Sequence, residues 1–276
     1  AMVALLCGGG PWLFLKSQQF KLRNSSHRGL RFGFAATERE AYKTALPPLV
    51  LYFSSAVFTA LAGTNVKSYI VILGIISLAT VVLIPAIHHR LKAFQHGFAM
   101  YGDLRFAFTG RRRSFYAVYA AALGMFVLGM VVAFAVGASM AAIGSGPKSM
   151  FGVGRMILAG YLSVYFAVWP FMIVRLQRII WRNTAAPGVV LDTTIRVWPM
   201  FKIMLGNVVL TIVTLGLYWP YASIAIARYR VRCMRIVTAV PIAEVAARAG
   251  GGESTAIGDA AAEFAAVEHP GLQARD

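Results

Sequence analysis

Residues 115–141 read FYAVYAAALGMFVLGMVVAFAVGASMA, a run without a single charge. Spanning a hydrocarbon core of about 30 Å takes roughly 20 apolar residues as a helix. A soluble helix of this length would show a charged face at helical spacing, and this one shows none. Outward from it the pattern continues. Between 114 and 174 the only charged residues are Lys148 and Arg155, and between 44 and 87 the only one is Lys67. Each block is too long for one crossing and suits two. Over 276 residues, 58% are apolar and 13% charged, whereas soluble domains carry about 25% charged residues. The expected fold is therefore an all-α polytopic membrane protein. It is built of repeated transmembrane hairpins with short cytoplasmic basic helices and strand-like elements.

The blocks divide at turn-forming residues. The first splits into 47–63 and 68–87 around Thr64-Asn65-Val66-Lys67, with Pro47 and Pro48 suited to a first helical turn. The second splits into 115–141 and 151–174 around Gly144-Ser145-Gly146-Pro147. A third run, 197–227, is short for two crossings and is broken at Gly216 and Pro220. Because Arg228, Arg230, Arg232 and Arg235 follow it, a short or re-entrant hairpin is expected; one crossing followed by a surface helix is the alternative. The segment 215–221 is predicted to be non-helical and packed inside the bundle, near Asn207 or Thr211. The expected organisation is a partial first unit at 1–46, hairpins with basic loops at 47–113 and 114–196, the broken hairpin at 197–238, and a flexible tail at 239–276. The chain reaches a Gly8-Gly9-Gly10-Pro11 break with no basic leader before it, and the repeat described below predicts residues upstream of Ala1.

The net charge of +17 invites a nucleic-acid reading, but its arrangement argues otherwise. Of 27 Lys and Arg, 23 fall in the stretches 16–43, 90–113, 175–202 and 228–248, which flank the apolar blocks. Positive residues stay cytoplasmic while short loops translocate. The excess therefore reads as a topology signal, with anionic lipid headgroups as a secondary contact.

The basic stretches repeat. Pro11 opens PWLFLKSQQFKLRNS and Pro170 opens PFMIVRLQRIIWRNT, so that Lys16 meets Arg175, Gln18 meets Gln177, Arg23 meets Arg182 and Asn24 meets Asn183 without a gap. Pro85 opens a third copy with Arg90 in register, and Pro220 a partial fourth. Nineteen residues past Pro11 and Pro85 stand Leu30-Arg31-Phe32-Gly33-Phe34 and Leu104-Arg105-Phe106-Ala107-Phe108, which alternate like short strands. Further on, the register reaches Tyr42, Tyr116 and Phe201, expected at the interface where the next helix enters. Each unit is predicted to kink at its proline and continue as a basic helix, with Arg175, Arg178 and Arg182 on one face. Asn24 and Asn183 are expected to end that segment with a side-chain turn, and Arg178 to be a merely exposed charge.

Val213-Thr214-Leu215-Gly216-Leu217-Tyr218-Trp219-Pro220-Tyr221-Ala222 resembles the YjgN-like bacterial inner-membrane proteins. Ala227-Arg228-Tyr229-Arg230, Arg182-Asn183-Thr184 and the two Leu-Arg-Phe-x-Phe elements fit the same family, over residues 11–240. Members carry Lys and Arg after the Pro-Trp-Ala, where this chain has Ser223 and Ala225. The resemblance implies a multi-pass inner-membrane location and a fold rather than a reaction.

Candidate sites are few. His88, His89 and His96 near Asp103 hold metal-ligating types, but adjacent histidines point to different helix faces and no His-Glu-x-x-His spacing occurs. Gly144-Ser145-Gly146-Pro147-Lys148-Ser149 lacks phosphate-loop spacing and reads as a turn. Cys7 and Cys233 suggest neither disulfide nor metal pair. No Asp or Glu lies inside an apolar block, unlike ion-coupled transporters. Asn207 and Thr211, with the breaks at Gly216 and Pro220, form the best candidate ligand or ion site, against plain interhelical hydrogen bonding. Ala133, Gly137 and Ala141 make a small-residue packing stripe. Arg111, Arg112, Arg113, Arg175, Arg178 and Arg182 are candidate anionic-lipid contacts. With no nucleophile–base pair, metal set or cofactor motif, the expected function is a non-enzymatic membrane scaffold that meets the lipid bilayer or a partner. A transporter or channel with its site near Gly216 and Pro220 is the alternative; neither cofactors nor nucleic acid are expected.

Overall fold

The computed structural model describes residues 2–27, 30–62, 66–142 and 150–238, together with 241 and 244–245. The elements run α1 (Met2–Arg23), β1 (Ser26–His27), β2 (Leu30–Phe34), α2 (Glu38–Ala62), α3 (Val66–Gly97), β3 (Ala99–Tyr101), β4 (Leu104–Arg105), β5 (Ala107–Phe108) and α4 (Arg112–Ala142). Then follow α5 (Met150–Arg182), β6 (Thr184–Ala186), β7 (Val189–Thr193), α6 (Val197–Val213), α7 (Trp219–Arg232) and β8 (Met234–Thr238). Almost all of the expected tail lies outside the described residues, as do the turns at 63–65 and 143–149. Two compact units are present: Ala1–Gly110 with Asn183–Val190 and Val237–Asp276, and Arg111–Arg182 with Leu191–Ile236.

Long helices dominate, and the all-α expectation is corrected by two small antiparallel sheets, β1-β2-β3-β4 and β5-β6-β7-β8. The alternation at 32–34 and at 106–108 marked only part of them. The other strands are two to five residues long, and β7, which alternates in burial, does not alternate in polarity along Val189-Val190-Leu191-Asp192-Thr193. Their pairing is also non-local. β2 pairs β3 through Phe32↔Tyr101, Gly33↔Met100 and Phe34↔Ala99. β5 pairs β6 through Ala107↔Ala185 and Phe108↔Thr184. Counted from Pro11, Pro85 and Pro170, these registers coincide. One backbone bond recurs beside them: Ala35 N–H to Phe98 O, Thr109 N–H to Asn183 O, and Thr194 N–H to Cys233 O, each at 2.9 Å.

The helices keep the same spacing. α1, α3, α5 and α7 end at Arg23, Gly97, Arg182 and Arg232, each twelve residues past its proline. α2, α4 and α6 begin at Glu38, Arg112 and Val197, each twenty-seven residues past one. Pro11, Pro85 and Pro170 lie within continuous helices, so the basic segments are the last turns of the apolar helices. The N–H that a proline lacks is tolerated there by the surrounding helix.

Local chemistry sets the boundaries. α2 begins nine residues before Pro47, because Thr37 and Glu40 form a capping box. The Thr37 N–H donates to Glu40 Oε2 at 2.7 Å, and the Glu40 N–H to Thr37 Oγ1 at 3.4 Å. Pro47 and Pro48 therefore fall inside the helix. The β6–β7 reversal turns on Gly188 at φ +76°, a conformation open to glycine without steric cost. Tyr42 Oη donates to Gly8 O, tying α2 to α1.

The first unit packs Leu15, Phe34, Ala36, Ala41 and Phe94 into one cluster. The second packs Val174, Ile195, Met200 and Met204, with Ile226, Tyr229 and Cys233 against them. Leu15 and Val174, Ala36 and Ile195, and Ala41 and Met200 stand at matching distances from Pro11 and Pro170. Equivalent positions thus build the core in each unit.

Among the described residues, two helices are long and apolar enough to cross a bilayer: Val66–Gly97, and the stretch Arg112–Ser139 of α4. In their most apolar windows only 6% and 11% of residues are buried. Ile75, Leu78, Leu128 and Phe134 are more than 60% exposed. A soluble core helix would hide such side chains.

Candidate functional site

The expected site at the broken run takes the form of a tight hairpin. α6 and α7 are joined by 214–218, and the chain reverses on two consecutive left-handed residues, Leu215 at φ +51° and Gly216 at φ +95°. Every N–H from Thr214 to Trp219 finds a partner in the turn or in the last residues of α6. Thr214 donates to Leu210 O, Leu215 to Ile212 O, Gly216 to Thr211 O, Leu217 to Thr214 O and Trp219 to Gly216 O, at 2.7–3.1 Å. Tyr218 N–H donates to Thr214 Oγ1 at 3.0 Å. Trp219 and Tyr221 already belong to α7, so the non-helical part is shorter than 215–221. It is also not packed inside: Leu215 is 94% exposed and Leu217 81%. A turn whose donors are met locally has no need of surrounding protein.

Asn207 and Thr211 do lie together, and each side chain donates to a backbone carbonyl. Buried Asn207 donates from Nδ2 to Ala222 O at 3.1 Å, linking α6 to α7. Thr211 Oγ1 donates to Asn207 O at 2.7 Å within its own helix. Gly216 forms the turn, and Pro220 opens α7.

The basic face of α5 is more engaged than its spacing suggests. Arg178 is half-buried and donates from Nε and Nη2 to Ile195 O at 3.0 and 2.6 Å. Arg182 Nε meets Asp192 Oδ1 at 2.9 Å, and Arg175 lies over the Phe171 ring at 5.6 Å. The Thr193 backbone N–H, and then Arg182, hold the exposed Asp192 carboxyl below the usual carboxylate range. Sequence reasoning missed one pair here: buried Gln177 accepts from Arg230 Nε at 2.8 Å and donates to Arg230 O at 3.2 Å. Its only signal was the Gln18/Gln177 match. Arg111, Arg112 and Arg113 are exposed at the start of α4, against the sign its macrodipole favours.

Arg178 therefore holds a loop rather than merely carrying charge. Arg178→Ala is expected to destabilise the fold by about 2 kcal/mol, since a charge-assisted bond is lost and a carbonyl left unmet. Arg175→Ala, on the same face, should cost under about 0.5 kcal/mol. Thermal unfolding of the purified variants in detergent compares the two, and equal losses would contradict the assignment.

The histidines do not converge. His89 Nε2 lies 2.7 Å from Gly110 O, four residues past Pro85 as Leu15 and Val174 lie past Pro11 and Pro170. Among the described residues no three His, Cys, Asp or Glu side chains are grouped to hold a metal ion. Asn24 Nδ2 donates to Phe20 O at 2.9 Å, closing the end of α1.

Fold and surface together define a mainly helical protein with two candidate membrane helices and two small antiparallel sheets. The chain belongs to the family described as "Bacterial protein of unknown function (DUF898)", whose model matches residues 1–264. The resemblance to the YjgN-like proteins is consistent with that membership. No curated protein and no solved structure matches the chain.

Proposed function

We propose that the chain is a multi-pass protein of the bacterial inner membrane, acting without catalysis as a scaffold that engages lipid or a partner through cytoplasmic basic surfaces. The observation that supports this is the bare apolar surface of α3 and α4. Apolar surface left in water forgoes about 25 cal/mol per Å², and a bilayer removes that penalty. Three arginines at the N-terminus of α4 oppose its dipole by about 0.3–1 kcal/mol each. They are accounted for if they fix orientation by staying cytoplasmic. The recurring proline offsets and strand registers support one duplicated unit, each copy handing its second strand to the next.

Membranes washed in alkaline carbonate should retain the full chain. Cysteine at Ser139 should react with an impermeant maleimide in intact cells, and cysteine at Arg112 only after permeabilisation. Release by the wash, or labelling at Arg112 from outside, overturns the reading.

A further inference from the structure

Matching positions in the copies have unlike fates, and one of them leaves cations without acceptors among the described residues. Twelve residues past Pro170, Arg182 is neutralised by Asp192. Twelve past Pro11 stands Arg23, and Gly33 occupies the place that corresponds to Asp192. Eight past Pro170, Arg178 is held by the Ile195 carbonyl; eight past Pro11 stands Gln19. These α1 residues line an open cleft of about 460 Å³ formed by Lys16, Gln19, Phe20, Arg23 and Asn24, with no carboxylate in its wall. Lys16 Nζ lies over the Trp12 ring at 5.7 Å. Phe20 is 70% exposed, Leu13 60% and Trp12 42%, so apolar surface borders the cationic one.

Two cations with no acid among them, beside exposed aromatics near the end of an apolar helix, call for an anion that carries hydrocarbon. The geometry points to a binding site for an anionic phospholipid at the end of α1, with the phosphate between Lys16 and Arg23 and the acyl chains along Leu13 and Phe20. Lysine attracts the phosphate as a point charge, whereas arginine can hold two of its oxygens. Asn24 spends Nδ2 on Phe20 O, which leaves Oδ1 to accept a hydrogen bond. A headgroup with hydroxyl donors, as in phosphatidylglycerol, fits that acceptor. This site rests on the membrane reading above, and it differs from the α5 face, where Ile195 O and Asp192 already take Arg178 and Arg182.

The test uses the full chain in detergent and short-chain phosphatidylglycerol, phosphatidylcholine or inorganic phosphate as probes, with bound lipid counted by native mass spectrometry. Lys16→Gln with Arg23→Gln should weaken phosphatidylglycerol binding by about tenfold or more, since each basic group near anionic lipid contributes about 1 kcal/mol. Arg112→Gln with Arg113→Gln, an equal charge change elsewhere, should alter it less than about twofold. Arg23→Lys should restore part of the loss. Both substituted side chains are exposed, and an unchanged unfolding temperature confirms that the variant folds. Equal loss in both double variants would overturn the site, as would equal binding of phosphatidylcholine. Competition by equimolar inorganic phosphate would reassign it to free anions. Carbonate extraction is read separately, so a chain that stays in the membrane but shows no lipid selectivity refutes this site alone.

Discussion

Phe115→Ala is expected to lower stability by about 3–5 kcal/mol, as truncating a large side chain in a packed core does. Phe115 is fully buried at 0% exposure, thirty residues past Pro85, where Ala41 and Met200 occupy the matching places at the same burial. With Val118 and Ala122 it forms the buried stripe of the first turns of α4. The next residues outward, such as Phe126 and Phe134, are exposed. The base of the helix is thus protein core, and beyond it most side chains face outward, apart from a stripe at Met125, Gly129, Ala133 and Gly137. Alanine at Phe115 would leave a cavity that neighbouring backbone cannot readily fill, since it lies at the helix start beside Ser114 N–H and Arg111 O, which are bonded at 3.1 Å. Phe134→Ala removes the same atoms from a side chain 77% exposed and should cost under about 1 kcal/mol. In detergent the first variant should unfold on the order of 10 °C below the second. Matching melting curves would show that α4 has no packed base.

What could be read in the sequence follows from which signals are local. The apolar blocks, the proline register and the break at Gly216 depend on neighbouring residues, and they located α3, α4 and the α6–α7 turn. Helix starts depended on weighing two local signals. Pro47 and Pro48 suit a first turn, but the Thr37–Glu40 box satisfies orphan donors directly and sets the start instead. Strand pairing was out of reach, because β2 meets β3 some seventy residues along and most of the strands are only two or three residues long. Side-chain direction was hidden for the same reason. Arg175, Arg178 and Arg182 share a helical face, yet Ile195 O and Asp192, both from the following strand region, engage two of them. The cleft on α1 was obscured differently. Lys16 and Arg23 look like their α5 counterparts until the missing partner at Gly33 is noticed.

The depth of the α6–α7 hairpin gives the second large effect. Beyond Lys202, the apolar part of α6 runs over 203–213, and that of α7 from Trp219 to Ala227 before Arg228. At 1.5 Å per residue these arms reach roughly 16 and 13 Å, about half of a 30 Å hydrocarbon core. A hairpin of that length is expected to enter one leaflet and return. Its tip suits that place, since the turn leaves no N–H unmet between 214 and 219 and presents Leu215 and Leu217 outward. With Cys7 and Cys233 changed to Ser, a cysteine at Leu215 should therefore resist an impermeant maleimide from either side of the membrane by at least about tenfold relative to Ser139→Cys, while a small apolar maleimide still modifies it. Fast labelling from outside would mean that the hairpin crosses. Fast labelling only in permeabilised cells would place the tip in cytoplasmic water, and the exposed leucines would then need a protein partner. Protection from both sides is what the arm lengths and the closed turn together require.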